Sequence, residues 1–290
     1  MFKTTTLQQL PKNLYQLCQI LQKASVILQQ QYAAYQQGEG FNIDKKQDDS
    51  PVTQADLLVN DFLMQQLILL HPLPILSEEG QHEGRENWQQ FWMIDPLDGT
   101  KEFINKTGEF TINVSLIKDH QSEISALAVP MKNQIYIVEK GNLPFRFTWG
   151  EAEQIAEYHH SLDAFIHRKD EKLKIALSRR PERSGRYADF LKYLDLRNIA
   201  YDSVPAGSAY KFCMMLEGEI DLYPRFHPTS EWDTAAGQGL LQSIGGDVWS
   251  LDANPFYYNQ RASLLNGNFI ATRRIEDWAI ISSFLDDLST

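Results

Sequence analysis

Leu10, Leu14, Leu17, Leu21, Leu28 and Tyr32 recur at intervals of three, four or seven residues. This spacing draws one apolar stripe along a long amphipathic helix. Its opposite face is glutamine rather than lysine or glutamate and reads as solvated surface. Gly38 to Pro51 contains two glycines and the charged run Asp44-Lys45-Lys46-Gln47-Asp48-Asp49, and reads as a loop. A second helix follows, with Thr53 as its cap and Leu57, Leu58, Phe62, Leu63 and Leu67 as its expected buried stripe. Pro72 and Pro74 stop it.

The period then changes. Ile75-Leu76 and Phe91–Ile94 are short apolar runs that end abruptly at acidic residues, as buried strands do when their C-terminal ends open into loops. Phe110–Ile117, Ala126–Val129 and Gln134–Val138 are expected to continue as strands of an antiparallel sheet. The pattern is weakest from Asn142 to about Leu162, where a boundary between an N-terminal half (1–150) and a C-terminal half (151–290) is expected. Beyond it, strand and helix alternate. Lys174–Leu177, Ile199–Tyr201 and Ile220–Tyr223 read as strands; Tyr187–Leu194, Ala209–Leu216 and Thr234–Ile244 read as helices, the last closed by Gly245-Gly246. Such alternation argues for an α/β half.

At 290 residues, 43% apolar and 22% charged, the chain is too long and too hydrophobic for a disordered, collagenous or disulfide-stapled protein. With 27 basic and 38 acidic residues the net charge is −11, which argues against a nucleic-acid polymer or an anionic lipid surface as partner. A small anionic ligand remains open, because a bound metal inverts the local field. Cys18 and Cys213 are far apart and read as reduced, buried small hydrophobes, in keeping with the cytoplasm. Met1–Leu10 lacks the basic and apolar regions of a signal peptide, and the run Phe62–Leu70 is broken by Gln65 and Gln66, so no transmembrane segment is expected. The sequons at Asn105 and Asn113 read as chance matches.

Four acidic motifs carry the candidate chemistry. In Asp95-Pro96-Leu97-Asp98-Gly99-Thr100 a strand delivers Asp95 into a turn in which Pro96 fixes φ and Gly99 permits an unusual conformation. Asp95, Asp98 and the Leu97 carbonyl are hard oxygen ligands suited to Mg²⁺ or Mn²⁺; an ordinary Asp-Pro and Asp-Gly turn has the same composition. Glu78-Glu79 follows a strand and can turn one carboxylate inward, or be a plain acidic loop. Thr53 with Asp56, and Ser230 with Asp233, each also satisfy a helix capping box. Ala235, Ala236 and Gly237 let the last of these helices approach a neighbour closely. Asp56, Glu78, Asp95, Asp98 and Asp233 gathered in one cleft would repel one another unless cations bound between them. A pair of divalent ions about 3.5–4 Å apart is the usual clamp for in-line phosphoryl displacement. Gly207-Ser208-Ala209-Tyr210-Lys211 lies at an expected helix start that welcomes phosphate or is a glycine turn with a solvated lysine, and Arg225 reads as a bidentate phosphate ligand or an interdomain ion pair.

These residues resemble the inositol-monophosphatase superfamily of lithium-sensitive, Mg²⁺-dependent phosphatases, from about Ser50 to Ala271. Within it, Leu76–Glu79, Asp95–Phe103, Gly207-Ser208 with Lys211-Phe212-Cys213, and Leu222–Phe226 are similar to bacterial CysQ-type 3′(2′),5′-bisphosphate nucleotidases. The resemblance implies an α/β (α+β) fold, an alternating α/β/α/β/α sandwich with its site between the halves. It implies hydrolysis of adenosine 3′,5′-bisphosphate to AMP and phosphate, clearing a by-product of sulfate assimilation, with the 3′-phosphate of its phosphosulfate relative left open as a second target. It also implies a cytoplasmic monomer or homodimer, with peripheral inner-membrane association left open. Glu78, Asp95 and the Leu97 carbonyl would hold a first metal, and Asp95, Asp98 and Asp233 a second. Two or three Mg²⁺ ions are implied, with Mn²⁺ as a substitute. Thr100 would orient the water, and Glu78 or Asp56 would take its proton. The Gly99 and Thr100 amides would touch the scissile phosphate, with Glu78, Leu97, Asp98 and Asp233 also facing substrate. Ser208, Lys211 and Arg225 would grip the nucleotide. Related sequences often carry a His shortly after Ser178, where this chain has Arg179 and Arg180. Phosphatases of other small phosphate esters, such as inositol, histidinol or fructose phosphates, and a non-catalytic metal- or nucleotide-binding regulator, are the alternatives.

Overall fold

The computed structural model of the chain describes residues 3–5, 10–38, 42–46, 51–150, 154–157, 172–177 and 185–289. Its helices are α1 (Lys12–Gln36), α2 (Gln54–Leu70), α3 (Thr100–Ile104), α4 (Gly185–Leu196), α5 (Tyr210–Leu216), α6 (Ala235–Gln242) and α7 (Trp278–Ser289). Two larger sheets run between them.

The first sheet has eight strands, ordered Lys3–Thr5, Gln154–Glu157, Phe145–Thr148, Gln134–Glu139, Gln121–Val129, Thr111–Lys118, Gln90–Asp98 and Ile75–Ser77. Every neighbouring pair is antiparallel except the last, which is parallel. Because strand side chains alternate between faces, each strand supplies two cores. Trp92, Ile94, Val114, Ala126 and Ile135 pack beneath α1 and α2, while Phe91, Met93, Leu127 and Tyr136 pack toward α5 and α6.

The second sheet has five strands, ordered Tyr201–Pro205, Leu173–Leu177, Leu222–Arg225, Phe269–Thr272 and Asp247–Ser250. The first three are parallel and the last two antiparallel to their neighbours. The same alternation divides it. Ala176, Tyr223 and Ala271 face α5 and α6, whereas Ile175, Leu222 and Ile270 meet Phe190 and Leu194 of α4 and Ile281 and Phe284 of α7. The layers therefore run helix, sheet, helix, sheet, helix, the sandwich that the resemblance implies.

The stripe of α1 is as expected: Leu10, Leu14, Leu17, Leu21, Leu28 and Tyr32 are all buried. That of α2 is not. Leu57 is 47% and Leu58 39% exposed, and the buried line is Ala55, Val59, Leu63 and Leu67. Thr53 and Asp56 fix where the helix starts, and the small Ala55 and Val59 let it lie close on α1 and the sheet. The stretch read as a loop before α2 contains a short antiparallel pairing of Ile43–Lys45 with Pro51–Thr53. The strands expected at Ile199–Tyr201 and Ile220–Tyr223 begin later, at Tyr201 and Leu222. Among the described residues no helix is long and apolar enough to cross a membrane. Both cysteines are buried and unbonded to each other.

The close approach expected of α6 is real. A Cβ on Gly237 would lie 2.2 Å from a ring carbon of Phe212 on α5. Gly237→Ala is therefore expected to cost about 1–3 kcal/mol through overpacking. Differential scanning calorimetry should show a clear drop in melting temperature; an unchanged value would mean that the two helices lie further apart.

Candidate active site

The strand Gln90–Asp98 does not pair evenly with its neighbour. Asp95 stands opposite Asn113 and Asp98 opposite Thr111, so Pro96 and Leu97 face the single residue Ile112. This is a bulge, placed where Pro96 has no N–H to give the ladder. It lets Asp95 and Asp98 converge on the same side. The Leu97 N–H donates to Asp95 Oδ1 at 3.0 Å, and the Leu97 side chain anchors the turn in the core. Gly99 follows at φ 94°, and α3 begins at Thr100.

Asp233 reaches the same place from the opposite half. It ends the short helical turn Glu231–Asp233 and accepts the Ser230 N–H at 2.8 Å in a capping box. One carboxylate oxygen each from Asp95, Asp98 and Asp233 lies within 4.8 Å of the others. Asp56 is close by and serves twice. Its Oδ2 accepts from the Thr53 N–H at 2.8 Å and Thr53 Oγ1 at 2.6 Å, and its Oδ1 accepts from Thr100 Oγ1 at 3.1 Å. Thr100 Oγ1 also lies 3.3 Å from the Leu97 carbonyl oxygen. Asp56 and Asp233 thus both close the capping boxes expected of them, and each also turns a carboxylate oxygen to a second partner, Thr100 for Asp56 and the aspartate cluster for Asp233.

Glu78 stands against Asp95 and adds its charge to the cluster. Its partner is one that the sequence reading missed: Lys46 Nζ donates to Glu78 Oε1 and Glu79 Oε1, each at 2.6 Å. Glu79, expected to turn outward if Glu78 turned inward, has a side chain only 6% exposed against 21% for Glu78. Lys46 carried no signal beyond its membership of a charged run.

The electrostatics follow from crowding. Burial, then Glu78, Asp98 and Asp233, push the Asp95 carboxyl well above the ordinary aspartate range. Burial, Asp98 and Glu78 do the same to Asp233. Asp98 is raised to about 6 by burial, against the pull of the Ala209 amide and Lys211. Burial lifts Glu79 to about 7 despite its bond to Lys46. Burial also raises Asp56. Five carboxylates with protons held so tightly are a set of hard oxygens awaiting positive charge, and their chemistry fits Mg²⁺ or Mn²⁺.

The cationic side of the cleft comes from the second half. Lys211 is 2% exposed, donates to the Ser208 carbonyl at 3.0 Å and lies 4.8 Å over the Tyr223 ring. Burial, then Arg225, lowers its ammonium to about 8. Arg225 Nε is buried and without a partner among the described residues. Asp98, Ser208, Lys211, Arg225 and Asp233 line one cleft. The amides at the start of α5 are already engaged: Ala209 N–H donates to Asp98 Oδ2, and Tyr210 N–H to Ser208 Oγ at 3.1 Å. Ser178, Arg179 and Arg180 lie outside the described residues.

A family model described as the inositol monophosphatase family matches residues 10–283. The chain is 38% identical over 230 residues to a protein of Aggregatibacter actinomycetemcomitans named 3′(2′),5′-bisphosphate nucleotidase CysQ, across 78% of this chain and 81% of that protein. It is 33% identical over 262 residues to the protein of the same name from Salmonella typhimurium, across 89% and 99% of the two chains. A crystal structure of CysQ from Bacteroides thetaiotaomicron superposes with a TM-score of 0.68 at 28% identity, covering 88% of this chain and 95% of that one. With its layered sandwich and its converging carboxylates, the chain belongs to the inositol monophosphatase family.

Proposed function

We propose that the protein is a Mg²⁺-dependent phosphomonoesterase that hydrolyses adenosine 3′,5′-bisphosphate to AMP and phosphate. One observation carries this reading: Asp95, Asp98 and Asp233 converge within 4.8 Å beside buried Lys211 and half-buried Arg225. An acidic cluster with adjoining basic groups suits a phosphate ester whose charge both must neutralise. The relatives named bisphosphate nucleotidase support the choice of substrate.

Bound at Glu78, Asp95, Asp98, Asp233 and the Leu97 carbonyl, two or three divalent ions would acidify a water and neutralise phosphoryl charge. Thr100 Oγ1, already hydrogen-bonded to Asp56, would orient that water, and Asp56 or Glu78 would take its proton. The water oxygen forms the new bond to phosphorus as the bond to the ribose 3′-oxygen breaks. The leaving hydroxyl recovers a proton. The Gly99 and Thr100 amides would meet the scissile phosphate. Ser208, Lys211 and Arg225 would hold the nucleotide and its remaining phosphate, and Arg225 Nε, buried and without a partner among the described residues, is the donor best suited to that task. Sensitivity to lithium, a role in sulfur assimilation and residence in the cytoplasm belong to the same reading.

Phosphate release from adenosine 3′,5′-bisphosphate, its 2′ isomer, the phosphosulfate and inositol 1-phosphate tests it. The bisphosphates are expected to be the preferred substrates, with turnover lost in EDTA and depressed by millimolar lithium. Preference for inositol 1-phosphate would move the protein to another branch of the family. Tight nucleotide binding with no phosphate released would make it a regulator.

A further inference from the structure

The turn 206–209 joins the edge strand Tyr201–Pro205 to α5 and carries Ser208 toward Lys211. Ser208 sits at φ 46°, a left-handed conformation that a residue with a side chain rarely holds unaided. External contacts hold it. Gly207 N–H donates to Glu109 Oε2 at 2.8 Å, Ala209 N–H donates to Asp98, and Lys211 Nζ folds back onto the Ser208 carbonyl at 3.0 Å.

Both glycines at this point are sterically required. A Cβ on Gly207 would lie 2.7 Å from Glu102 Cγ and 3.2 Å from Glu109 Oε2. A Cβ on Gly99 would lie 3.0 Å from Ser208 Cβ and 3.1 Å from the Glu109 carbonyl oxygen. Glu109 therefore touches two turns at once. Its backbone abuts the Gly99 turn of the carboxylate cluster, and its side chain holds the Gly207 turn of the cationic side. A carboxylate so near a seat for phosphate repels the ligand, and a glutamine would accept the same N–H without that repulsion. What the carboxylate adds is a stronger, charge-assisted hydrogen bond. Glu102 and Glu109 also favour the charged form of buried Lys211.

We propose that Glu109 is a positioning residue: through the Gly207 N–H it fixes the turn that sets Ser208 and Lys211 against the Asp95, Asp98 and Asp233 cluster. The proposal rests on the reading of that turn as part of the substrate site.

The test compares wild type, Glu109→Ala and Glu109→Gln by steady-state turnover of adenosine 3′,5′-bisphosphate and by calorimetric titration with inorganic phosphate in Mg²⁺. Glu109→Ala is expected to raise KM about tenfold while kcat changes less than about threefold, the signature of lost binding rather than lost chemistry. Phosphate affinity should fall by a similar factor. Glu109→Gln keeps an acceptor and is expected to recover to within about threefold of wild type. Unchanged KM and phosphate affinity in Glu109→Ala overturn the proposal, as does an equal loss in both variants. A wild type that leaves the bisphosphate intact removes the nucleotide reading, and the phosphate titration then decides the clamp alone. Should Glu109→Ala fail to fold, Gly207→Ala takes its place. Its loss of affinity should be partly relieved by adding Glu102→Ala, which removes the nearest clashing atom; absence of relief overturns the clamp.

Discussion

Asp95→Asn protein is expected to fold and to lose turnover by about 10³-fold or more, equivalent to about 4 kcal/mol of transition-state stabilisation. Asp95 stands at the centre of the cluster, 1% exposed, with Glu78, Asp98 and Asp233 all acting on it. Asparagine removes one negative charge and replaces one ligand oxygen by an NH₂ group, which cannot bind a cation. The fold should tolerate the change, because asparagine Oδ1 can still accept the Leu97 N–H that stabilises the bulge. Removing a like charge from a crowded site should even stabilise the metal-free protein. The decisive pair of measurements is phosphate release and a thermal melt in EDTA. A variant that releases phosphate at the wild-type rate would end the catalytic assignment of this cluster; a variant that has simply unfolded would show a collapsed melt.

Removal of metal should make stability fall as pH rises. In the folded protein Asp98 titrates near 6, and Asp95 and Asp233 well above the usual range. Each therefore binds a proton more tightly folded than unfolded. Between the ordinary carboxylate range and these raised values, the folded state holds more protons than the unfolded state. By linkage, stability then declines with increasing pH across that window. Metal-free protein is expected to melt at a higher temperature near pH 5.5 than near pH 8. Mg²⁺ should reverse the trend by binding the ionised carboxylates, stabilising by about 2.7 kcal/mol at roughly a hundred times its Kd. The increment should be larger near pH 8, where fewer protons compete. Calorimetry at both pH values, with EDTA and with Mg²⁺, checks this. A metal-free melting temperature that climbs from pH 5.5 to 8 would contradict the convergence of these carboxylates.

The parts of the site that were legible in the sequence are those made by local chemistry. Proline, glycine and two aspartates within six residues announce a turn that presents oxygens, and a Ser or Thr three residues before an Asp announces a helix start. The apolar stripe of α1 and the unbroken apolar run Phe91–Ile94 are equally local, since each reflects the burial of a single element. What stayed hidden depends on residues far apart in the chain. Lys46 meets Glu78 and Glu79 across more than thirty positions, and Glu109 meets Gly207 across 98. No spacing rule joins such pairs. The inward face of α2 was misread for a related reason: Leu57 and Leu58 are the more hydrophobic choice, but close packing at the start of the helix selected Ala55 and Val59. The strands Phe145–Thr148 and Gln154–Glu157 were missed because their neighbours on both sides supply the pairing that their own composition only weakly favours.

Asp56 and Asp233 each brace a helical turn with one oxygen, while the other oxygen of Asp56 accepts from Thr100 and Asp233 also joins the aspartate cluster. Truncating either to alanine therefore removes two things together, and a dead variant at these positions would be a confounded result. Leu97 and Thr100 offer no cleaner comparison, since one contributes only its carbonyl and the other shares Asp56. Mutational scans of this protein should be calibrated on Asp95, where an isosteric amide separates architecture from reactivity.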